Sequence, residues 1–124
     1  MPAYTLDANT IIYYVGNEEK VVRMMRPLLS REIILYIPTT VIVEIFSTEL
    51  SESERMAIET IVGTSQIIPL YENIARMAAD LRRNYRIKTP DASIAATALA
   101  TGSTLLSRNI RDFKRIASLS VEEI

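Results

Sequence analysis

Four acidic residues of this chain lie at positions where a charge is not needed for solubility. Asp7 follows a short apolar run, Glu44 interrupts an apolar helical segment, Asp91 opens a helix, and Asp112 follows the apolar strand pattern of residues 104–107. Carboxylates held close together repel one another unless a cation neutralises them. Mg²⁺ binds one or two carboxylates directly and keeps waters that further acids can hold. If the fold gathers the four acids, the pattern predicts a site for a hard cation.

Each of the four acids also has a purely structural interpretation. Asp7 can cap the helix that follows it, and Glu44 can lie on a polar stripe of its helix with nearby threonines and serines. Asp91 can favour the helix dipole, and Asp112 can complete a capping arrangement with Asn109. From the residues alone, both interpretations stay open.

Composition excludes several other kinds of site. The chain has no Cys and no His, which rules out thiol nucleophiles, histidine bases, Ser-His-Asp triads and the usual Cys/His zinc sites. Catalysis would then depend on carboxylates, hydroxyls, Lys or Arg. With 14 Lys and Arg residues against 15 Asp and Glu residues, nucleic acid would have to bind a local basic patch rather than the surface as a whole.

The elements that must position these acids alternate along the chain. Apolar strand patterns are predicted at 3–6, 33–37, 66–70, 103–107 and 119–122, and helical spacing falls between them. Alternating strands and helices predict an α/β fold, here a three-layer α/β/α sandwich with a mainly parallel central sheet and a single domain over residues 1–124. In such a sheet, residues that follow the strands gather at one edge.

Local signals predict where individual helices begin and end. Ser51 and Glu54 form a capping box, and Thr39 and Thr89 are predicted N-caps. Pro27 should end or kink its helix near residue 26, and Asn109 is predicted to cap a short helix over 110–116.

A cytoplasmic protein is expected. The apolar stretch of residues 33–43 is too short to span a bilayer, and residues 1–4 carry no basic residue of the kind that opens a signal peptide.

Four segments, in order, resemble a known family. They are Asp7-Ala8-Asn9-Thr10, then Glu44 after a strand and Pro38-Thr39, then the D-A-S-I-A-A-T-A run of 91–98, then the S-R-N-I-R-D-F run of 107–113. The series resembles PIN-domain nucleases, and most closely the VapC-like ribonuclease toxins of toxin–antitoxin systems. It covers essentially the whole chain, and the last two segments are its most specific part.

The resemblance implies a function and a set of site residues. Asp7, Glu44, Asp91 and Asp112 match the family's acidic quartet, which implies catalytic residues and metal ligands, while the polar residues that match its supporting positions are Asn9, Ser107 and Asn109. It further implies a Mg²⁺- or Mn²⁺-dependent endoribonuclease, a homodimer, and a cognate antitoxin protein whose segment occupies the cleft.

Two clusters of basic residues flank the last two acids. We expect them to contact RNA phosphates, which positions RNA without reading its sequence; they are Arg82, Arg83, Arg86, Lys88, Arg108 and Arg111. A charge run of this kind is equally consistent with a solvated helix face.

Two other functions are alternatives to a nuclease. The D-A-N-T start resembles that of haloacid-dehalogenase-like phosphatases, but Asn9 stands where that family has its second Asp. The other alternative is a non-catalytic PIN-like module that binds RNA or a partner protein. The four acids argue against it, because a binding module has no need of mutually repelling carboxylates.

Overall fold

The computed structural model describes residues 2–30 and 32–124. Within these residues the strands are β1 (Ala3–Leu6), β2 (Ile34–Pro38), β3 (Gln66–Ile68), β4 (Thr104–Ser107) and β5 (Val121–Glu123). The α-helices are α1 (Ala8–Val15), α2 (Glu19–Met25), α3 (Thr39–Ser47), α4 (Glu52–Thr64), α5 (Glu72–Tyr85), α6 (Thr89–Thr101) and α7 (Ile110–Phe113), and a 3₁₀ helix covers Arg26–Leu29. None of the described helices combines the length and apolar character needed to cross a bilayer.

The five strands form one fully parallel sheet in the order β3-β2-β1-β4-β5. The predicted α/β fold with a parallel central sheet is confirmed. The chain builds outwards from β1 to β3 on one side and then continues with β4 and β5 on the other. The order therefore reverses between β1 and β4, where Leu6 pairs with Leu106. Open parallel sheets bind their ligands at such a point, beyond the carboxyl ends of the strands.

Helix α6 is buried on nearly all sides. Every residue from Ala92 to Ala98 is buried. The helix packs against α3, α5 and the strands β1, β2 and β4. Its alanines present little side-chain volume, so neighbouring elements approach it from several directions. This tight packing fixes the start of α6, which carries Asp91.

The capping and proline signals in the sequence predicted some helix ends correctly and others incorrectly. The capping box of α4 is formed, with Glu54 N donating to Ser51 Oγ at 3.2 Å and Ser51 N donating to Glu54 Oε1 at 2.9 Å. Helix α2 ends directly before the 3₁₀ turn that contains Pro27. Thr39 and Thr89, however, are the first helical residues rather than N-caps, because the extended backbone conformation continues to the residue before each.

The C-terminal segment also differs from prediction. Helix α7 is a single turn that ends at Phe113 instead of residue 116, and β5 lies at 121–123 instead of 119–122. The Asn109 side chain makes no capping bond. Instead, the Asn109 backbone N–H donates to Ser107 Oγ at 3.0 Å, so the hydroxyl of the preceding strand end takes the place of a cap.

Candidate active site

Asp7 is placed at the reversal point of the sheet by β1 and held there by α1. It is 7% exposed, and its Oδ1 accepts a hydrogen bond from Thr10 N at 2.9 Å. The capping interpretation of Asp7 is therefore confirmed. The bond engages one carboxylate oxygen, and capping leaves Oδ2 available to a ligand. Thr10 also donates through Oγ1 to the carbonyl of Leu106 at 3.3 Å, which ties the start of α1 to β4.

Glu44 and Asp91 both have a raised pKa. Partial burial raises the pKa of the Glu44 carboxyl first, and the negative charges of Asp91 and Asp7 raise it further. Burial likewise raises the pKa of Asp91, followed by the charges of Asp112 and Asp7. Asp7 and Asp112 are thus close enough to Glu44 or Asp91 for their charges to raise the pKa of those carboxyls. The fold gathers the four carboxylates predicted from the sequence at one edge of the sheet.

Positive charge near these acids is sparse. Lys88, just before α6, lowers the pKa of Asp91 but does not outweigh the acids around it. Arg115 Nη1 lies 4.0 Å from Asp112 Oδ1, and both side chains are about half exposed, where an ion pair contributes little. The described cations near the site therefore offset little of the negative charge of these carboxylates.

The oxygen-only side chains of this edge suit one kind of ion better than others. Among residues 2–30 and 32–124, no three acidic side chains are close enough together to hold an ion directly, as they would around a fully enclosed metal. Mg²⁺ commonly takes only one or two carboxylates and retains several waters, which neighbouring acids then hold. An all-oxygen donor set in an open cleft suits such an ion.

The three predicted supporting residues differ in their surroundings. Ser107 is fully buried at the end of β4 and accepts the Asn109 N–H. The side chains of Asn9 and Asn109 are exposed at the starts of α1 and α7. These two amides are therefore accessible to solvent, while Ser107 fixes the start of the loop between β4 and α7.

The basic residues before α6 are at the surface. Arg82, Arg83, Arg86 and Lys88 are exposed. Arg83 Nη2 contacts Asp80 Oδ1 at 2.6 Å, and Arg82 Nε donates to the carbonyl of Ile87 at 3.2 Å. Arg86 adopts the left-handed conformation (φ 56°) that ends α5. Of these cations, Lys88 is close enough to Asp91 to lower its pKa.

Arg108 has intramolecular partners that the sequence did not reveal. Its Nη2 contacts Glu18 Oε1 at 2.6 Å and Oε2 at 2.5 Å. Its guanidinium carbon lies 4.4 Å from the centre of the Tyr13 ring. The hydrogen bond that Arg108 donates to Glu18 raises the pKa of Arg108. The partners lie more than 85 positions apart in sequence, so no local pattern could have paired them. Arg111, the other predicted contact of this cluster, is exposed.

Two neighbouring cavities run from the acidic edge to the basic turn. One of about 270 Å³ is bordered by Glu44 and by Val43 on α3. Another of about 490 Å³ is bordered by Arg82 and Arg83 on α5. The two cavities share the residues Leu70, Thr89 and Ser93. A groove with an acidic end and a basic end therefore crosses this face.

The family of the chain follows from comparison with known proteins. The model of the PIN domain matches residues 4–119, which include all four acids. This chain belongs to the PIN domain family. No curated protein gives a significant sequence match.

Solved structures have the same fold. A chain of VapBC2 from Rickettsia felis, bound to a DNA fragment from its promoter, superposes with a TM-score of 0.81 at 22% identity, over 98% of each chain. A chain of a toxin–antitoxin complex from Klebsiella pneumoniae gives 0.80 at 24% identity, over 98% of this PIN domain and 99% of that chain. A chain of VapBC-1 from nontypeable Haemophilus influenzae gives 0.77 at 24% identity, over 98% and 97%. At these identities the likeness establishes the fold.

Proposed function

We propose that this PIN domain is a metal-dependent endoribonuclease and the toxin of a toxin–antitoxin pair. The observation that carries the proposal is the convergence of Asp7, Glu44, Asp91 and Asp112 near the reversal point of the sheet, where the charges of neighbouring acids raise the pKa of Glu44 and of Asp91. A cluster of this kind lowers the stability of the protein, and a functional requirement accounts for its presence.

Each acid has a role in this proposal. Asp7 and Asp91 are the direct ligands of Mg²⁺ or Mn²⁺, because both are fixed by the ends of regular elements and are less exposed than Glu44. Glu44 and Asp112 complete the ligand set or hold metal-bound waters. When bound, the ion supplies an activated water and stabilises the charge that develops on a phosphodiester. The protein's own contribution is to fix the geometry of the carboxylates.

RNA is the substrate that the surroundings of the acids favour. Arg82 and Arg83 border the basic end of the groove, and Arg86 and Lys88 are exposed between α5 and α6. They are suited to phosphates flanking the cleaved bond, since such contacts position a backbone without reading sequence. The acidic end requires a cation before a phosphate can approach, which couples substrate binding to the metal.

The partners of this PIN domain are proposed from its neighbours and its surface. The similar structures are toxin–antitoxin complexes, so we expect a cognate antitoxin whose segment covers the acidic cleft. We also expect a homodimer. Phe46 and Met56, which do not border the groove, are exposed to 39% and 64%, and exposed apolar surface of this kind marks protein interfaces. A second copy of the chain would cover it.

Cleavage of RNA tests the proposed activity. The purified protein is incubated with a labelled pool of structured RNAs and Mg²⁺ or Mn²⁺, and with EDTA in a parallel reaction. The Asp91→Asn variant is the test of the site, and Glu59→Gln, which removes one exposed carboxylate from α4, is the matched control. We expect metal-dependent cutting by the wild type and by Glu59→Gln, and none by Asp91→Asn.

The opposite result has a definite meaning. A folded protein that binds RNA or a partner but cuts nothing with either metal would contradict the nuclease and support the non-catalytic module. Equal cutting by wild type and Asp91→Asn would contradict the assignment of Asp91 to the catalytic site.

A further inference from the structure

The loop that joins β4 to α7 is held from outside the acidic edge by a cluster of three residues. Arg108 in this loop contacts both carboxylate oxygens of Glu18, at 2.6 and 2.5 Å. Its guanidinium lies over the ring of Tyr13, 4.4 Å from the ring centre. Tyr13 belongs to α1, and Glu18 is the residue just before α2. The three residues therefore connect the loop to the N-terminal helices.

The two ends of the loop have anchors of their own, and the Ser107 carbonyl accepts the Ile124 N–H at 3.3 Å. Ser107 is buried at the end of β4 and accepts the Asn109 N–H at 3.0 Å. Helix α7 is one turn of four residues, too short to be stable without tertiary contacts. On its far side the helix is anchored by Phe113, which is 1% exposed. Asp112 is thus carried between two anchors, Phe113 after it and the Arg108 contacts before it.

The position of Asp112 matters to the site, because its charge is one of those that raise the pKa of Asp91. A shift of the loop would move Asp112 relative to Asp91. Residues that orient metal-binding groups from outside typically affect metal affinity or activity by 10- to 100-fold when mutated.

We propose that Glu18 and Tyr13 are positioning residues: they act through Arg108 to hold the loop 107–109, and with it Asp112, in register with the other acids. The inference rests on the proposed nuclease function. It gives Glu18 a role that its place at the start of a helix does not suggest. It also assigns Arg108 a role different from the RNA phosphate contact expected from its charge.

The two roles of Arg108 predict opposite effects of releasing it. If Arg108 is held by Glu18 to position the loop, loss of Glu18 slows the chemical step and leaves RNA binding unchanged. If Arg108 is a phosphate contact, loss of Glu18 frees a cation from a competing carboxylate, and RNA binds more tightly.

The first experiment compares Glu18→Gln with Glu19→Gln. Both variants remove one negative charge, and Glu19 is the exposed neighbour in the first turn of α2. We expect Glu18→Gln to lower kcat about tenfold with KM for the RNA unchanged, and Glu19→Gln to behave as the wild type. Hydrogen exchange of the metal-free protein should be faster in residues 107–113 of Glu18→Gln alone.

A charge exchange provides the second test. Arg108→Glu removes the ion pair, and the double variant Glu18→Arg with Arg108→Glu restores one between the same two segments. Positioning predicts partial recovery of kcat in the double variant relative to Arg108→Glu, although the contact with Tyr13 is not restored. A phosphate contact predicts no recovery, because residue 108 remains acidic.

The outcomes separate this inference from the proposed function. Cleavage by the wild type with equal kcat in Glu18→Gln and Glu19→Gln would overturn the positioning role and leave the nuclease intact, and so would a lower KM in Glu18→Gln. Absence of cleavage by the wild type would overturn the nuclease. Unchanged hydrogen exchange at 107–113 in Glu18→Gln would then also overturn the positioning of the loop.

Discussion

Asp7 has two tasks that substitution can separate. Its Oδ1 accepts the Thr10 N–H at 2.9 Å and caps α1, and its negative charge acts on Glu44 and Asp91. Asn keeps a cap acceptor and removes the charge, whereas Ala removes both. Because both variants lose the charge, the difference in stability between them isolates the cap.

The expected difference in Tm follows from the cost of losing an N-cap and from the unfolding entropy of a chain of this length. Loss of an Asp or Asn N-cap to Ala costs about 1 kcal/mol. Unfolding entropy near 60 °C is about 2.1 cal/mol/K per residue, which over 124 residues gives about 0.26 kcal/mol/K. Asp7→Ala should therefore melt about 4 °C below Asp7→Asn.

Thermal unfolding by circular dichroism in EDTA measures this difference, and RNA cleavage measures the other task. We expect both Asp7 variants to be inactive and only Asp7→Ala to lose the cap. Ser51→Ala, which removes the N-cap of α4, is the matched control and should show a similar loss of Tm with full activity. Equal Tm values for the two Asp7 variants would refute the capping role, and activity in Asp7→Asn would refute the need for its charge.

Three further predictions concern the site and its surroundings. Because the pKa of Asp91 is raised above its ordinary value, the folded state binds more protons at that carboxyl than the unfolded state, and the ionised group lowers stability as the pH rises from about 4 towards 7. Urea unfolding without metal should therefore show the free energy of unfolding of Asp91→Asn increasing relative to that of the wild type over this pH range. A difference between the two proteins that is constant with pH would contradict this prediction. Phe113→Ala should lower the free energy of unfolding by about 3–5 kcal/mol, whereas Phe46→Ala, at a position 39% exposed, should cost much less; equal losses would contradict the anchoring of α7. Lys88→Ala should reduce the slope of log affinity for single-stranded RNA against log salt by about 0.7, measured by fluorescence anisotropy, and an unchanged slope would exclude Lys88 from the phosphate contacts.

The sequence was sufficient to predict the position of the acids, for a general physical reason. Residues that follow strands of a parallel sheet share one edge, so Asp7 and Asp112 were expected near each other once β1 and β4 were identified. The buried strand runs and alternating helices made the α/β fold predictable in the same way. What fixed the site to one point, the reversal of strand order between β1 and β4, depends on pairing between distant segments and was visible only in the structure.

Features that depend on distant contacts were missed. The pair of Glu18 and Arg108 joins segments 90 positions apart, and neither residue has a local pattern that points to the other. The burial of α6 on all sides came from the packing around it, which hydrophobic spacing within the helix does not encode. The predicted caps at Thr39 and Thr89 were one residue late, because extended backbone geometry rather than residue type decided where those helices begin.

Direct metal binding tests the central claim without knowledge of the target RNA. Isothermal titration calorimetry with Mn²⁺ at neutral pH compares the wild type, Asp91→Asn and the Glu59→Gln control. Gathered carboxylates predict saturable binding by the wild type and by Glu59→Gln, with affinity at least about tenfold weaker in Asp91→Asn. Absence of binding by the folded wild type, or equal binding by Asp91→Asn, would contradict the assignment of these four acids as a metal site.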